Sequence, residues 1–220
     1  HDLVRREVTT HEAPAEGPAS IHDVVLTKEA NLDRLLRYDR YPRHLLRTYV
    51  FPAAKNWEDF EFLRLEENAD LAGGAWTPVG IKPEKGTFEV RRETVLRVNG
   101  EDLPLRAAKT IKTKAADSAW QLECRTSLEA DGTSPGPLAL GLELVLNLLA
   151  PNAPDRYFLA DKVRRPLDFR GEIQTSRLVM VDEWQGVRIS LRTQPQAEWW
   201  IVPIETISQS EAGFERVYQG

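Results

Sequence analysis

Apolar and polar residues alternate along several stretches of the chain, most clearly over Trp120–Glu129 and Val187–Arg192. A two-residue period turns one face of a β-strand toward a core and the other toward water. The dipeptide Asn99-Gly100 follows another apolar run and tolerates positive φ, which is typical of tight turns between strands. We therefore predict one hairpin, formed by Thr87–Val98 and Leu103–Thr113.

A second pattern is a run of leucines at every even position from Leu138 to Leu148. Strict alternation favours a long central strand over a helix, although leucine and glutamate prefer helices intrinsically. Asp131-Gly132 indicates a turn before this run. Helical pattern is scarce: Asn31–Leu36 predicts one short turn of helix, and Trp57–Leu65 is ambiguous. Many strands separated by turn residues predict an all-β sandwich or barrel.

The chain of 220 residues is long enough to form one large β-domain. Its first twenty residues lack a usable period and end in a cluster of Ala, Pro, Glu and Gly. We interpret residues 1–20 as a linker or arm from an upstream domain, with a ragged chain end as the alternative. Residues 21–220 are then the β-domain.

The net charge and the cysteine content limit the binding partners and the cellular compartment that we expect. The formal net charge is -5, which disfavours nucleic acid and anionic membrane surfaces as partners. The longest apolar stretch, Leu138–Ala150, is too short for a membrane span. Cys124 is the single cysteine, so no intrachain disulfide can form, which fits a reducing cytoplasm. We predict a cytoplasmic protein.

No motif of nucleophilic, metal or nucleotide chemistry is present. The four histidines lie in the first fifth of the chain and have no metal-ligand spacing. The chain also lacks a nucleophile elbow, a P-loop and a dinucleotide-binding turn. The sequence therefore predicts no catalytic residue, no metal site and no cofactor.

Carboxylates and tryptophans remain as candidates for contact with a sugar. Glycosidases act through a pair of carboxylates, and Glu143, Glu205 and Glu211 lie in strand-like context. The alternative is that they are solvated or paired with arginines. Trp199 and Trp200 are adjacent, so in a strand they point to opposite faces, and at most one lies in the core. The other faces solvent, a ligand or another domain.

Three segments together resemble the C-terminal β-sandwich domain of glycoside hydrolase family 57 amylases and 4-α-glucanotransferases. The most specific lies in WWIVPIETISQSEAGFERVYQG, Trp199 to Gly220, where the positions that match are Pro203, Thr206, Ser208, Gln209, Ser210, Glu211, Gly213, Phe214, Gln219 and Gly220. LLRYDRYPRHLLRTYVF, Leu35 to Phe51, resembles the segment that opens the same domain, and Leu138–Leu148 is similar to a third. The matches span residues 21–220.

The resemblance implies a large two-sheet antiparallel β-sandwich of the galactose mutarotase-like supersandwich type, with last strands beyond Gly220. In that family the catalytic residues lie on an N-terminal (β/α) barrel, so none is assigned here. The implied function is a noncatalytic accessory domain that braces the upstream catalytic barrel and contacts α-glucan or maltooligosaccharide. The candidates for carbohydrate or interdomain contact are Trp199, Trp200, Glu205, Gln209, Glu211, Glu143 and Asn147.

Two other functions stay open at this point. A free-standing sugar mutarotase or epimerase would follow from fold analogy alone, but that chemistry commonly uses a histidine with a glutamate, and the central and C-terminal strands contain no histidine. A protein-interaction sandwich without any carbohydrate role is the other. Its support is generic: strands, surface charge and scattered aromatic residues.

Overall fold

The computed structural model describes residues 32–36, 38–132, 136–210 and 213–220. The predicted arm, residues 1–20, lies outside the described residues. The chain forms two compact units, which we call the insert unit, Asp39–Val145, and the terminal unit, His1–Tyr38 with Leu146–Gly220. All pairings between the described strands are antiparallel, so the predicted all-β antiparallel class is confirmed.

In the insert unit, the residues that the structure describes form six strands, one short α-helix and a 3-10 helix at Pro83–Lys85. Four strands form a sheet in the order β2-β3-β4-β5, and β1 pairs with β6. The elements are β1 Arg47–Pro52, α1 Trp57–Glu61, β2 Thr77–Lys82, β3 Thr87–Val98, β4 Glu101–Ala116, β5 Ala119–Ala130 and β6 Leu138–Glu143.

The predicted hairpin is confirmed as β3 and β4, which pair along the whole of β3. Asn99 and Gly100 both have positive φ, 54° and 82°, as the two-residue turn requires. The ambiguous segment after Asn56 is helical over α1. The Asn56 side chain caps this helix by accepting a hydrogen bond of 2.7 Å from the Asp59 amide.

One face of the four-stranded sheet builds the core of the insert unit. Leu96, Leu105 and Ala107 are buried there and pack with residues of β1 and of the loop after α1, Val50 and Leu71 among them. These sheet residues share a face because directly opposite residues of antiparallel strands point to the same side. Burying this apolar face supplies the main driving force for folding of the unit.

The predicted long strand at Leu138–Leu148 is wrong in its length and its place, because β6 ends at Glu143 and pairs with β1 in a two-stranded sheet. The partner explains the early end. Strand β1 begins at Arg47, opposite Glu143, and Leu46 before it has a φ of 64°, which turns the chain away. A strand without a partner beyond Glu143 has unpaired backbone groups and does not continue.

The described residues of the terminal unit form eight strands and a 3-10 helix at Leu32–Leu35. Four strands form a sheet in the order β11-β10-β7-β8, while β9 pairs with β12 and β13 with β14. The strands are β7 Arg156–Ala160, β8 Val163–Pro166, β9 Gly171–Gln174, β10 Arg177–Asp182, β11 Val187–Arg192, β12 Glu198–Ile201, β13 Glu205–Ser210 and β14 Gly213–Tyr218.

The central strands β7 and β10 of the four-stranded sheet in the terminal unit carry buried residues on both faces, while the edge strands β8 and β11 have none. Leu178 and Met180 of β10 join the larger core cluster, and the alternate residues Val179 and Val181 join a second cluster around Tyr157.

In the described part of the chain, no helix is both long and apolar enough to cross a membrane.

Candidate functional site

The structure divides the seven predicted contact residues between the two units. Glu143 lies in the insert unit, and Glu211 falls outside the described residues. The other five lie in the terminal unit: Asn147, Trp199, Trp200, Glu205 and Gln209. The predicted strand Leu138–Leu148 would have put Glu143 and Asn147 on the same face by their spacing, and this is wrong because β6 ends at Glu143.

The Glu143 carboxylate is bound on several sides by residues from the start of the insert unit. It accepts a hydrogen bond of 2.8 Å from the Tyr49 hydroxyl and lies 3.5 Å from Arg43 and 3.8 Å from Arg47. Arg47 is itself buried and also donates to backbone carbonyls, including that of Ala72. The carboxylate thus has partners on both of its oxygens.

Burial raises the pKa of Tyr49 well above its usual range, and the Glu143 charge raises it further. The neutral phenol is therefore kept as a donor to the carboxylate. Its ring is also stacked on Phe51, with centroids 5.2 Å apart. This cluster holds β1 against β6, and three side chains contact its carboxylate.

Glu205 has a similar environment in the terminal unit. Its side chain is mostly buried and forms ion pairs with Arg170 and, at 3.6 Å, with Arg216. Tyr218 lies opposite it in the hairpin β13–β14. Burial raises the pKa of Tyr218 to about 12, and the charges of Asp168 and Glu205 add to the shift. The structure thus shows the alternative interpretation of this carboxylate, in which it pairs with arginines.

The described part of the motif, Ser208–Ser210, forms the end of β13. Ser210 pairs with Gly213, the first residue of β14, which has a φ of 110°. Gln209 is opposite Phe214 and exposed. Asn147 is also exposed. Contact of these two amides with a sugar stays a prediction.

Trp199 and Trp200 lie on β12, as the sequence predicts. Trp199 packs against the larger core cluster, and its indole N–H donates a hydrogen bond of 2.9 Å to the Thr175 carbonyl. Trp200, opposite Glu172 on β9, points to the other face of the strand and is half-buried. Trp199 is therefore held as a core residue, while sugar contact by Trp200 stays a prediction.

The sequence analysis missed a buried cation, Lys109. Its ammonium nitrogen is 2.8 Å from the Leu46 carbonyl and 4.0 Å from the centroid of the Trp76 ring. Burial lowers the pKa of Lys109 to about 8. The signal was available: Lys109 shares the parity of Leu105 and Ala107 on β4, so strict alternation already places it on the core face.

The cavity described in the insert unit has a volume of about 210 Å³. Its lining is apolar throughout: Val50, Leu96, Leu105, Leu128, Ala130, Gly136, Leu138, Ala139 and Leu140. A sugar site needs converging polar groups, and these side chains supply none. Among the described residues, no three or more His, Cys, Asp or Glu side chains are grouped to hold a metal ion.

Comparison with known proteins identifies relatives for the whole chain. The family model described as "Alpha-amylase/4-alpha-glucanotransferase, C-terminal" matches residues 1–220. Alpha-amylase 1 of Dictyoglomus thermophilum is 30% identical over 239 residues, covering 99% of this chain and 31% of that protein. The 4-alpha-glucanotransferase of Thermococcus kodakarensis is 23% identical, covering 97% of this chain and 28% of that protein.

The crystal structure of the 4-alpha-glucanotransferase from Thermococcus litoralis has a similar fold. It superposes with a TM-score of 0.64 at 20% identity, over 90% of this chain and 28% of that one. The chain thus spans about 30% of the length of the relatives it matches.

Proposed function

Because the chain belongs to the family of C-terminal domains of alpha-amylases and 4-alpha-glucanotransferases, we propose that it is a noncatalytic accessory domain that braces the catalytic part of an α-glucan-acting enzyme. One observation carries the proposal. Relatives named as amylase and glucanotransferase align with nearly all of this chain, but with under a third of their own length. The larger remainder supplies ample room for a separate catalytic part.

The geometry of the predicted carboxylates supports a noncatalytic role. A glycosidase acid or base must reach the scissile bond, and the nucleophile must present an open oxygen. Glu143 and Glu205 each have arginine partners on both carboxylate oxygens. These contacts position each side chain within its own unit.

Deletion of these 220 residues from the complete parent protein tests the proposal. We expect the remaining part to keep its turnover on a short maltooligosaccharide within a few-fold at 25 °C. Its half-life at elevated temperature should fall at least tenfold, because an interface that stabilises it is lost. An unchanged half-life would overturn the bracing role.

Substitutions in the complete protein keep the test decisive if the shortened protein does not fold. Glu143→Gln and Glu205→Gln should each leave turnover within a few-fold of the wild type. A loss of a thousandfold or more, in a variant whose circular dichroism spectrum is unchanged, would show that a catalytic carboxylate lies here and would refute the proposal.

A further inference from the structure

The core face of the insert-unit sheet carries further large apolar residues beyond the core and beyond Lys109. Ile81, Phe88 and Ile111 lie side by side across β2, β3 and β4, on the face that carries Leu105 and Ala107. Leu122 and Trp120 extend the same face along β5. We call these five residues the outer patch. Ile81 is 64% exposed, Leu122 47% and Trp120 82%.

The opposite face of the same strands is polar over the same length. Its residues alternate with those of the outer patch, and they are Lys82, Thr87, Thr110, Lys112, Lys114, Gln121, Glu123 and Arg125. A sheet with one polar and one apolar face is built to have the apolar face covered. In the described structure the inner half of this face is covered by the core, and the outer half is exposed.

We propose that the outer patch docks against the part of the parent polypeptide that lies outside this chain. The inference rests on the proposed bracing function and names the surface that performs it. An exposed cluster of large apolar side chains marks an interaction site. The Trp120 ring adds a specific requirement, since a buried indole N–H needs an acceptor. We therefore expect an apolar partner surface with a carbonyl or carboxylate opposite Trp120.

The size of the patch favours a tethered partner over a second copy of the chain. A large aromatic side chain buries about 150–250 Å², so the outer patch offers on the order of 500 Å². Separate proteins that associate stably bury about 800 Å² each. Domains of one polypeptide associate through roughly 300–750 Å² each, because the tether supplies a high effective concentration. The outer patch falls in the second range.

Cys124 provides a probe for the docked face, since it lies beside Ile111 in the same row of the sheet. In the complete protein we would measure alkylation of Cys124 by a bulky maleimide, read from its peptide by mass spectrometry. We compare the wild type with Leu122→Asp in the outer patch and with Gln121→Asp on the polar face of the same strand. Circular dichroism confirms that each variant folds, which we expect because both side chains are exposed.

The expected result is slow alkylation in the wild type and in Gln121→Asp, and at least tenfold faster alkylation in Leu122→Asp. The half-life at elevated temperature should fall in the same variant only. Equal alkylation rates in all three proteins would overturn the inference. Protection that disappears on dilution, together with a dimer in sedimentation, would also overturn it in favour of a second copy.

The experiments distinguish failure of the docking surface from failure of the bracing role. If deletion of the 220 residues shortens the half-life while Leu122→Asp does not, the bracing role holds and another surface performs it. If neither change affects the half-life and Cys124 reacts freely, the bracing role fails together with the docking surface.

Discussion

Strand β10, in the middle of one four-stranded sheet, and strand β5, at the edge of the other, differ in their exposure to solvent. In the terminal unit, β10 is short and buried at every residue after the first. In the insert unit, β5 is twice as long and has no buried residue, although half of its residues are on the apolar face of the sheet. The edge strands β8 and β11 of the terminal-unit sheet also have no buried residue. The contrast therefore lies in the row of large apolar side chains that β5 and its neighbours carry beyond the core of their unit.

The difference shows that a strand can be longer than the core that covers it. A strand of 12 residues extends about 40 Å, which is longer than the core of a unit of roughly a hundred residues. The excess length of β4 and β5 therefore adds little to the stability of the insert unit alone. Substitutions in the two sheets should therefore differ in how much they lower the free energy of unfolding.

Asp182→Ala should give the largest loss, about 3–5 kcal/mol in the free energy of unfolding, because it leaves a largely buried arginine without its partner. Asp182 is fully buried at the end of β10, 3.2 Å from Arg156, and accepts a hydrogen bond of 2.8 Å from the Gln185 amide. Urea unfolding measures the loss. Asp182→Asn keeps an acceptor for Gln185 and should lose less, so equal losses would contradict the importance of the amide contact.

Leu178→Ala should destabilise the terminal unit by about 3 kcal/mol, since it opens a cavity at a residue that is 1% exposed. Leu122→Ala is the matched change in the insert unit and should cost about 0.5 kcal/mol or less. Both are measured by thermal and urea unfolding of the 220-residue chain. Similar losses at the two leucines would break the contrast between the sheets.

Lys109 gives a smaller, pH-dependent effect at the border between the core and the outer patch. Its pKa in the folded protein is about 8, below the ordinary value of 10.5. Between these two values the unfolded state binds more protons, so the stability of the wild type should rise with pH relative to Lys109→Met. The expected gain is on the order of 1–3 kcal/mol, measured by urea unfolding at pH 7.5 and pH 10.

Comparison with a variant is necessary because the raised pKa of Tyr218 acts in the opposite direction near pH 10 and above. The control is Lys112→Met, three residues further along β4 and on the polar face of the sheet. Its stability should follow the same pH dependence as that of the wild type. Parallel pH curves for the wild type and Lys109→Met would show that Lys109 is not held at a lowered pKa.

Much of the fold follows from local sequence. The hairpin β3–β4 is determined by alternation and by Asn99-Gly100. Alternation also places Trp199 and Trp200 on opposite faces of a strand, but which of the two packs on the core depends on the fold. The length of β6 does not follow in this way. Its alternation continues to Leu148, but a strand ends where its partner ends, and the partner begins at Arg47, almost a hundred residues earlier.

The predicted site illustrates the same limit. Residue type selected Glu143 and Glu205 as candidates, yet their roles depend on arginines that come from distant parts of the chain. Arg47 reaches Glu143, and Arg170 reaches Glu205. Parity alone would have found Lys109, because a charged residue at a core position is visible in a single strand. Ion-pair partners between strands require the fold.

The pairing of Arg47 with Glu143 also affects the order in which the chain folds. The terminal unit joins two segments of sequence, and its 3-10 helix Leu32–Leu35 lies against β13 and β14. Closing a loop of this length in an open chain costs about 4 kcal/mol of entropy. Once β1 and β6 pair, the Cα atoms of Arg47 and Glu143, which lie near the two ends of the insert unit, are about 5 Å apart. During synthesis the insert unit leaves the ribosome before the last strands do. If it has already folded, the loop that joins the two segments of the terminal unit is effectively short, and the entropy cost of closing it is smaller.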